Sequence, residues 1–328
     1  MREATPSGRA FAIQNEVEYR PAQTVADQNA VVGGHDDLVG LLPCYASRRL
    51  DNLGPGVERL VVVVHGALRD ADRYFVHALA AAGDLSSSTL IVAPQFLADV
   101  DVEALEGTTS RPLYWDVEGW KGGEPALGPA PISSFTAMDC LVDHVTELGG
   151  FQHRQDPAVV IFGNSAGGQY VNRYAAVGRG PDILAERGIS VRFIIANPST
   201  YLYFDRDRPV ALPHGQGIKR WRYGFDAAPG YVDCGPQQSL ERYLARDVTI
   251  VLGSQDRDGA GLLLEVSPAA MAQGANRFER GLNYDRHIRR LAHAAGWTAR
   301  QRMIQLEGVG HAAEEVLAAP QTRELMFG

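Results

Sequence analysis

The chain is poor in cysteine, in lysine and in long apolar runs, and each shortage excludes something. Its three cysteines, Cys44, Cys140 and Cys234, are far apart, odd in number and form no C-x-x-C pair. That pattern is neither a disulfide framework nor a thiolate zinc site. A P-loop, a G-x-G-x-x-G following a strand and a histidine pair at ligand spacing are also missing, so no metal and no cofactor is expected. Lysine stands only at positions 121 and 219; every other basic residue is arginine, which, with the abundant Ala and Gly, reads as a codon bias. The 39 acidic residues outnumber the 31 basic ones, giving a formal charge of −8 without any Lys/Arg-rich run. Proteins that neutralise phosphate backbones carry the opposite balance, and nucleic acid is not an expected partner. No stretch approaches the roughly 18 apolar residues of a membrane span. Met1-Arg2-Glu3-Ala4-Thr5 leads into polar sequence rather than a signal-peptide core, so the chain as written reads as cytoplasmic; a secreted protein stripped of its leader would look the same.

What is present is an alternation. A chain of 328 residues can bury a large core without staples. Short, β-branched apolar runs at 60–64, 90–93, 159–162, 191–196 and 248–252 have the look of buried parallel strands, whose two covered faces leave no polar alternation. Between them lie helical patterns. Met138, Leu141, Val142, Val145 and Leu148 repeat at helical spacing, with Ser134 placed to cap the start and Gly149 to end it. Tyr284, Ile288, Leu291 and Ala295 form a second such face, closed by Gly296. Segments 11–19 and 38–45 read as leading, antiparallel strands. This is an α/β class with a mostly parallel sheet and helices on both faces. Two long aromatic stretches, 99–131 and 200–246, break the rhythm; loops of that length are functional or disordered, and these are too aromatic for disorder.

The chemistry gathers at strand ends. Gly163-Asn164-Ser165-Ala166-Gly167 is a G-x-S-x-G between a strand and a helix, the context that lifts a serine hydroxyl clear of a sheet on a strained turn. A serine hydroxyl is a weak nucleophile until a general base takes its proton, and the base needs a carboxylate to fix its tautomer. His311, between Gly310 and a short helical stretch after the run 302–306, supplies the base among nine histidines. His287 and His293 lie on or opposite a helix face, and His144 and His153 precede the nucleophile strand. Asp256, on the loop after 248–252, supplies the carboxylate, with Asp258 as a competitor two residues on. Negative charge on a reacting carbonyl oxygen calls for two backbone N–H donors. Ala166, directly after the serine and at a helix start, and Ala67, in Val64-His65-Gly66-Ala67, are placed to provide them. His65 reads as structural, and Arg69, Asp70, Asp72 and Arg73 as a local salt-bridged clamp and helix cap.

These four elements, in the chain order Ser, Asp, His, resemble the α/β-hydrolase superfamily over residues 57–318. The resemblance implies an eight-stranded, mostly parallel sheet, one domain spanning 1–328, and a cap inserted at 200–246. Ala67 departs from the H-G-G-G esterases, and Ala166 from some depolymerase and cutinase elbows, so no branch is assigned. The function expected is cleavage of a small-molecule carboxylic ester or lactone through an acyl-enzyme. Amide or peptide cleavage by the same triad is the alternative within enzymes, and a non-catalytic binding protein on this fold the alternative outside them. Tyr114, Trp115 and Tyr201 are candidate pocket walls, the aromatic cap suggests an apolar or aromatic substrate group, and Arg206, Arg208, Arg220 and Arg222 pose the question whether any cap arginine points inward.

Overall fold

The computed structural model describes residues 20–33, 38–54, 56–103, 111–151, 158–211, 217–261 and 263–328. Eight strands make one sheet: β1 (Gln28–Gly33), β2 (Val39–Ala46), β3 (Arg59–Val64), β4 (Thr89–Pro94), β5 (Val159–Asn164), β6 (Val191–Ala196), β7 (Asp247–Gly253) and β8 (Arg302–Leu306). Their spatial order is β1-β2-β4-β3-β5-β6-β7-β8. β2 runs antiparallel to both β1 and β4, and every other pairing is parallel. The register sets Val61 of β3 between Ile91 and Val160. Residues 60–64 are wholly buried, as the unbroken apolar run requires.

Successive side chains of such a strand point to opposite faces, so β3 feeds two core layers. Leu60, Val62 and Val64 pack with α2 (Ser134–Leu148), α3 (Ala166–Val177), α4 (Pro236–Ala245) and α5 (Arg277–Ala294). Val61 and Val63 pack with α1 (Ala71–Ala82), α6 (Ala313–Ala318) and α7 (Pro320–Phe327). Among the described residues no helix is long and apolar enough to cross a membrane.

Three local expectations change. Segment 11–19 lies outside the described residues, and a strand not expected from the sequence, β1, is the antiparallel partner of the expected strand at 38–45. Helix α2 is capped by Ser133, whose hydroxyl accepts from the Phe135 N–H at 3.1 Å; Ser134 donates to the Trp120 carbonyl at 2.7 Å. Arg69 pairs with the buried Asp101, at 2.5 Å, and Asp70 starts α1 without a side-chain cap bond.

The aromatic loops turn inward. Phe96, Trp115, Trp120 and Tyr170 form one ring cluster, and Tyr201, Tyr203 and Tyr243 surround Tyr284 of α5. Their aromatic content pins the loops to the sheet.

Candidate active site

Ser165 sits on the turn from β5 into α3 with φ +60°, a backbone state rare for a residue bearing a side chain and costing about 1–3 kcal/mol where it is held. What holds it is close packing. The Ser165 N–H donates to the Ala196 carbonyl at 3.0 Å. A Cβ on Gly163 would come within 2.2 Å of the Gly167 carbonyl oxygen, and one on Gly167 within 2.2 Å of the Val64 oxygen. Both distances are below any real contact, so the turn can press against β3 only with glycine there.

Two loops converge on the serine. His311 follows β8, and its Nε2 lies 3.0 Å from Ser165 Oγ. Its Nδ1 lies 2.7 Å from Asp256 Oδ2, on the loop after β7. Asp256 is buried, with Arg277 Nη1 3.7 Å from its other oxygen. Asp258 is exposed, and its Oδ1 accepts from the Ala260 N–H at 2.8 Å. Of the two aspartates, Asp256 is the one within hydrogen-bond distance of His311.

Two asparagines that sequence reasoning missed tie these loops together. Asn197, just past β6 with φ +42°, accepts from the Gly253 N–H at 2.8 Å and donates to Asn164 Oδ1 at 3.3 Å. It also donates to the Gly310 carbonyl at 3.4 Å, while Asn164 Nδ2 donates to the His311 carbonyl at 3.2 Å. An asparagine immediately after a buried strand was the available signal, since Asn tolerates this conformation best among residues with side chains.

Ala67 and Ala166 both border the space beside Ser165, and neither N–H is paired with an acceptor among the described residues. His65 fixes the first of them. Its Nε2 accepts from the Phe96 N–H at 2.9 Å, which leaves the proton on Nδ1 to donate to the Gly66 carbonyl at 2.8 Å. Burial holds this ring neutral, with its pKa pushed down to about 4.

Two cavities meet at Ser165. The first, a recess, is bordered by Ala67 and Ala166 and walled by Glu118, Lys121, Arg173, Arg222, Tyr223 and Glu265. The second, a more open cleft, holds His311 with Asp70, Arg73, His77 and Glu314. Tyr114, Trp115 and Tyr201 border neither. Trp115 and Tyr201 are wholly buried, packed on Phe96 and Tyr284, and the Tyr114 ring covers Gly128. Most residues that line the recess are polar or charged, because the cap aromatics other than Tyr223 pack into the core. Of the four cap arginines, Arg222 reaches the recess, where it pairs with Glu118 at 3.4 Å and Glu124 at 3.5 Å. Arg208 lies 4.1 Å over the Tyr203 ring. Lys121, Arg173 and Glu265 were not anticipated, although a lysine in so arginine-rich a chain was a visible oddity.

No protein-family model matches the chain, and neither does any curated protein. Among solved structures it is similar to poly(aspartic acid) hydrolase-1 from Sphingomonas sp. KT-1, at 21% identity and a TM-score of 0.63 over 94% of this chain and 100% of that one. It is similar also to LpqC, a poly(3-hydroxybutyrate) depolymerase from Bordetella parapertussis, at 23% identity and a TM-score of 0.62 over 91% and 93%. With this sheet order and these neighbours, the chain has the α/β-hydrolase fold.

Proposed function

We propose that the protein is a serine hydrolase that cleaves a carboxylic ester or lactone, with Ser165 as nucleophile, His311 as general base and Asp256 as its orienting carboxylate. The observation that carries this reading is the continuous chain of two hydrogen bonds, 3.0 Å from Ser165 Oγ to His311 Nε2 and 2.7 Å from His311 Nδ1 to Asp256 Oδ2. A base within hydrogen-bond reach of the nucleophile, itself held by a third group, is what activates a hydroxyl of ordinary acidity. As Ser165 attacks the carbonyl carbon, its proton passes to His311, and the N–H groups of Ala67 and Ala166 receive the oxygen that gains charge. Each such donor contributes on the order of 3 kcal/mol to an acyl-transfer transition state. His311 then returns the proton to the departing alcohol. Water, deprotonated by the same imidazole, releases the acid and regenerates Ser165.

The whole chain is read as one domain with 200–246 as its cap, which Arg222 and Tyr223 support by reaching the recess beside the nucleophile. The structural neighbours named as a hydrolase and a depolymerase support hydrolysis as the reaction class. Labelling with a fluorophosphonate, followed by peptide mapping, tests the proposal. A single adduct on Ser165, lost in Ser165→Ala and formed at least about a hundredfold more slowly in His311→Gln, is expected. An unlabelled Ser165 in folded protein would refute it.

A further inference from the structure

We propose that the recess beside Ser165 is an acyl subsite for a short, uncharged acyl chain that carries a hydroxyl group. This rests on the esterase reading above and adds to it the side on which each half of the ester lies, together with the chemistry of the acyl half.

The sides follow from the proton path. His311 must reach the leaving oxygen, and His311 borders the open cleft with Arg73 and His77. Ala67 borders both spaces, but Ala166 borders the recess alone and His311 the cleft alone. The alcohol half therefore lies in the cleft, and the acyl half enters the recess.

The walls then restrict the acyl half. Ala67, Ala166 and Leu263 are the only apolar side chains among the described residues bordering the recess. The Lys121 side chain is 6% exposed and places one ammonium N–H on Glu118, and no acceptor among the described residues takes the other two. Across the same space Glu265 accepts from the Tyr223 and Ser267 hydroxyls through Oε1, and no donor among the described residues reaches Oε2. A plain alkyl chain would take these groups out of water without offering them a hydrogen-bond partner, which is unfavourable for each group left unmet.

Charge excludes the ionic options. Lys121, Arg173 and Arg222 border the recess with Glu118 and Glu265, and Glu124, outside the wall, pairs with Arg222 as Glu118 also does, so three positive groups meet three carboxylates. A carboxylate or an ammonium on the acyl chain would bring one uncompensated charge into a largely closed space. A hydroxyl both accepts, as Lys121 requires, and donates, as Glu265 requires, without adding charge. It takes no part in bond making: the acyl carbon gains Ser165 Oγ, the alcohol leaves with the proton from His311, and water completes the exchange.

Hydrolysis of a matched ester set by wild-type enzyme tests the proposal. Ethyl 3-hydroxybutyrate and 2-hydroxyethyl butyrate are isomers that differ in which half carries the hydroxyl; ethyl butyrate and monoethyl succinate complete the set. The expected kcat/KM for ethyl 3-hydroxybutyrate exceeds each of the others by at least about tenfold. Lys121→Met and Glu265→Gln each bring its advantage over ethyl butyrate below about threefold, and Lys219→Met, which removes the other lysine, leaves it intact. Equal rates across the isomers, or a preference for monoethyl succinate, would overturn the subsite while leaving the esterase reading standing. So would turnover of none of the four by protein that a fluorophosphonate labels at Ser165. No turnover together with an unlabelled Ser165 would remove both.

Discussion

Asp256 and Asp258 share one loop and one charge, and what separates them is which way each faces. Asp256 is buried at 2.7 Å from His311 Nδ1; Asp258 is exposed and closes its own turn on Ala260. Replacing the orienting carboxylate by an amide keeps the shape but loses the charge and favours the wrong imidazole tautomer. Asp256→Asn is accordingly expected to lower kcat by about 10⁴-fold, whereas Asp258→Asn stays within about threefold of wild type. Steady-state rates of both variants on one short ester check this, and equal losses would contradict it. At this scale the sequence was most legible where a residue's role is set by a local pattern. Ser165 stands in a strand-turn-helix motif with glycines two positions either side, and the packing distances show why only glycine fits there. Lys121, Arg173 and Glu265 carry no such pattern. They come together only because loops distant in sequence fold over the same space, and neither spacing nor periodicity records that.

The strand runs 60–64 and 159–162 were legible as elements because burial on both faces removes every polar residue from them. β1 was missed for the opposite reason: an edge strand buries one side only, and Val31 on its open side is 64% exposed. The loop after β3 shows how an element can carry a measurable signature of its packing. His65 accepts from the Phe96 N–H and is held neutral, its pKa pushed down to about 4 by burial. The unfolded chain takes up a proton at this ring near pH 6.5 and the native protein does not until about 4. Stability is therefore full above pH 6.5 and falls as pH drops through that window, by up to about 3 kcal/mol. In His65→Gln this contribution vanishes. The stability gap between wild type and variant, measured by urea unfolding, is expected to narrow by about that amount from pH 7 to pH 4, and a gap constant with pH would contradict the assignment.

Over the whole molecule, the sheet order places the ends of β3, β5, β6, β7 and β8 side by side, although the site residues they carry are spread from Ala67 to His311. Open α/β sheets bind ligands beyond the carboxyl ends of their strands, which is where all these groups fall. Sequence reasoning reached that arrangement through the order of the motifs. It did not reach the character of the recess, because it read Tyr114, Trp115 and Tyr201 as pocket walls and the aromatics of the cap as the sign of an apolar or aromatic substrate group. Burial instead draws Tyr201 and Tyr203 onto α5, leaving Arg222 and Tyr223 at the edge of the recess. The central claim is that turnover runs through the hydroxyl of Ser165, and rates of wild type and Ser165→Ala on a single short p-nitrophenyl ester test it most directly. A fall in kcat of at least about 10⁴-fold with unchanged thermal unfolding is predicted; an alanine variant that turns over at the wild-type rate would contradict it.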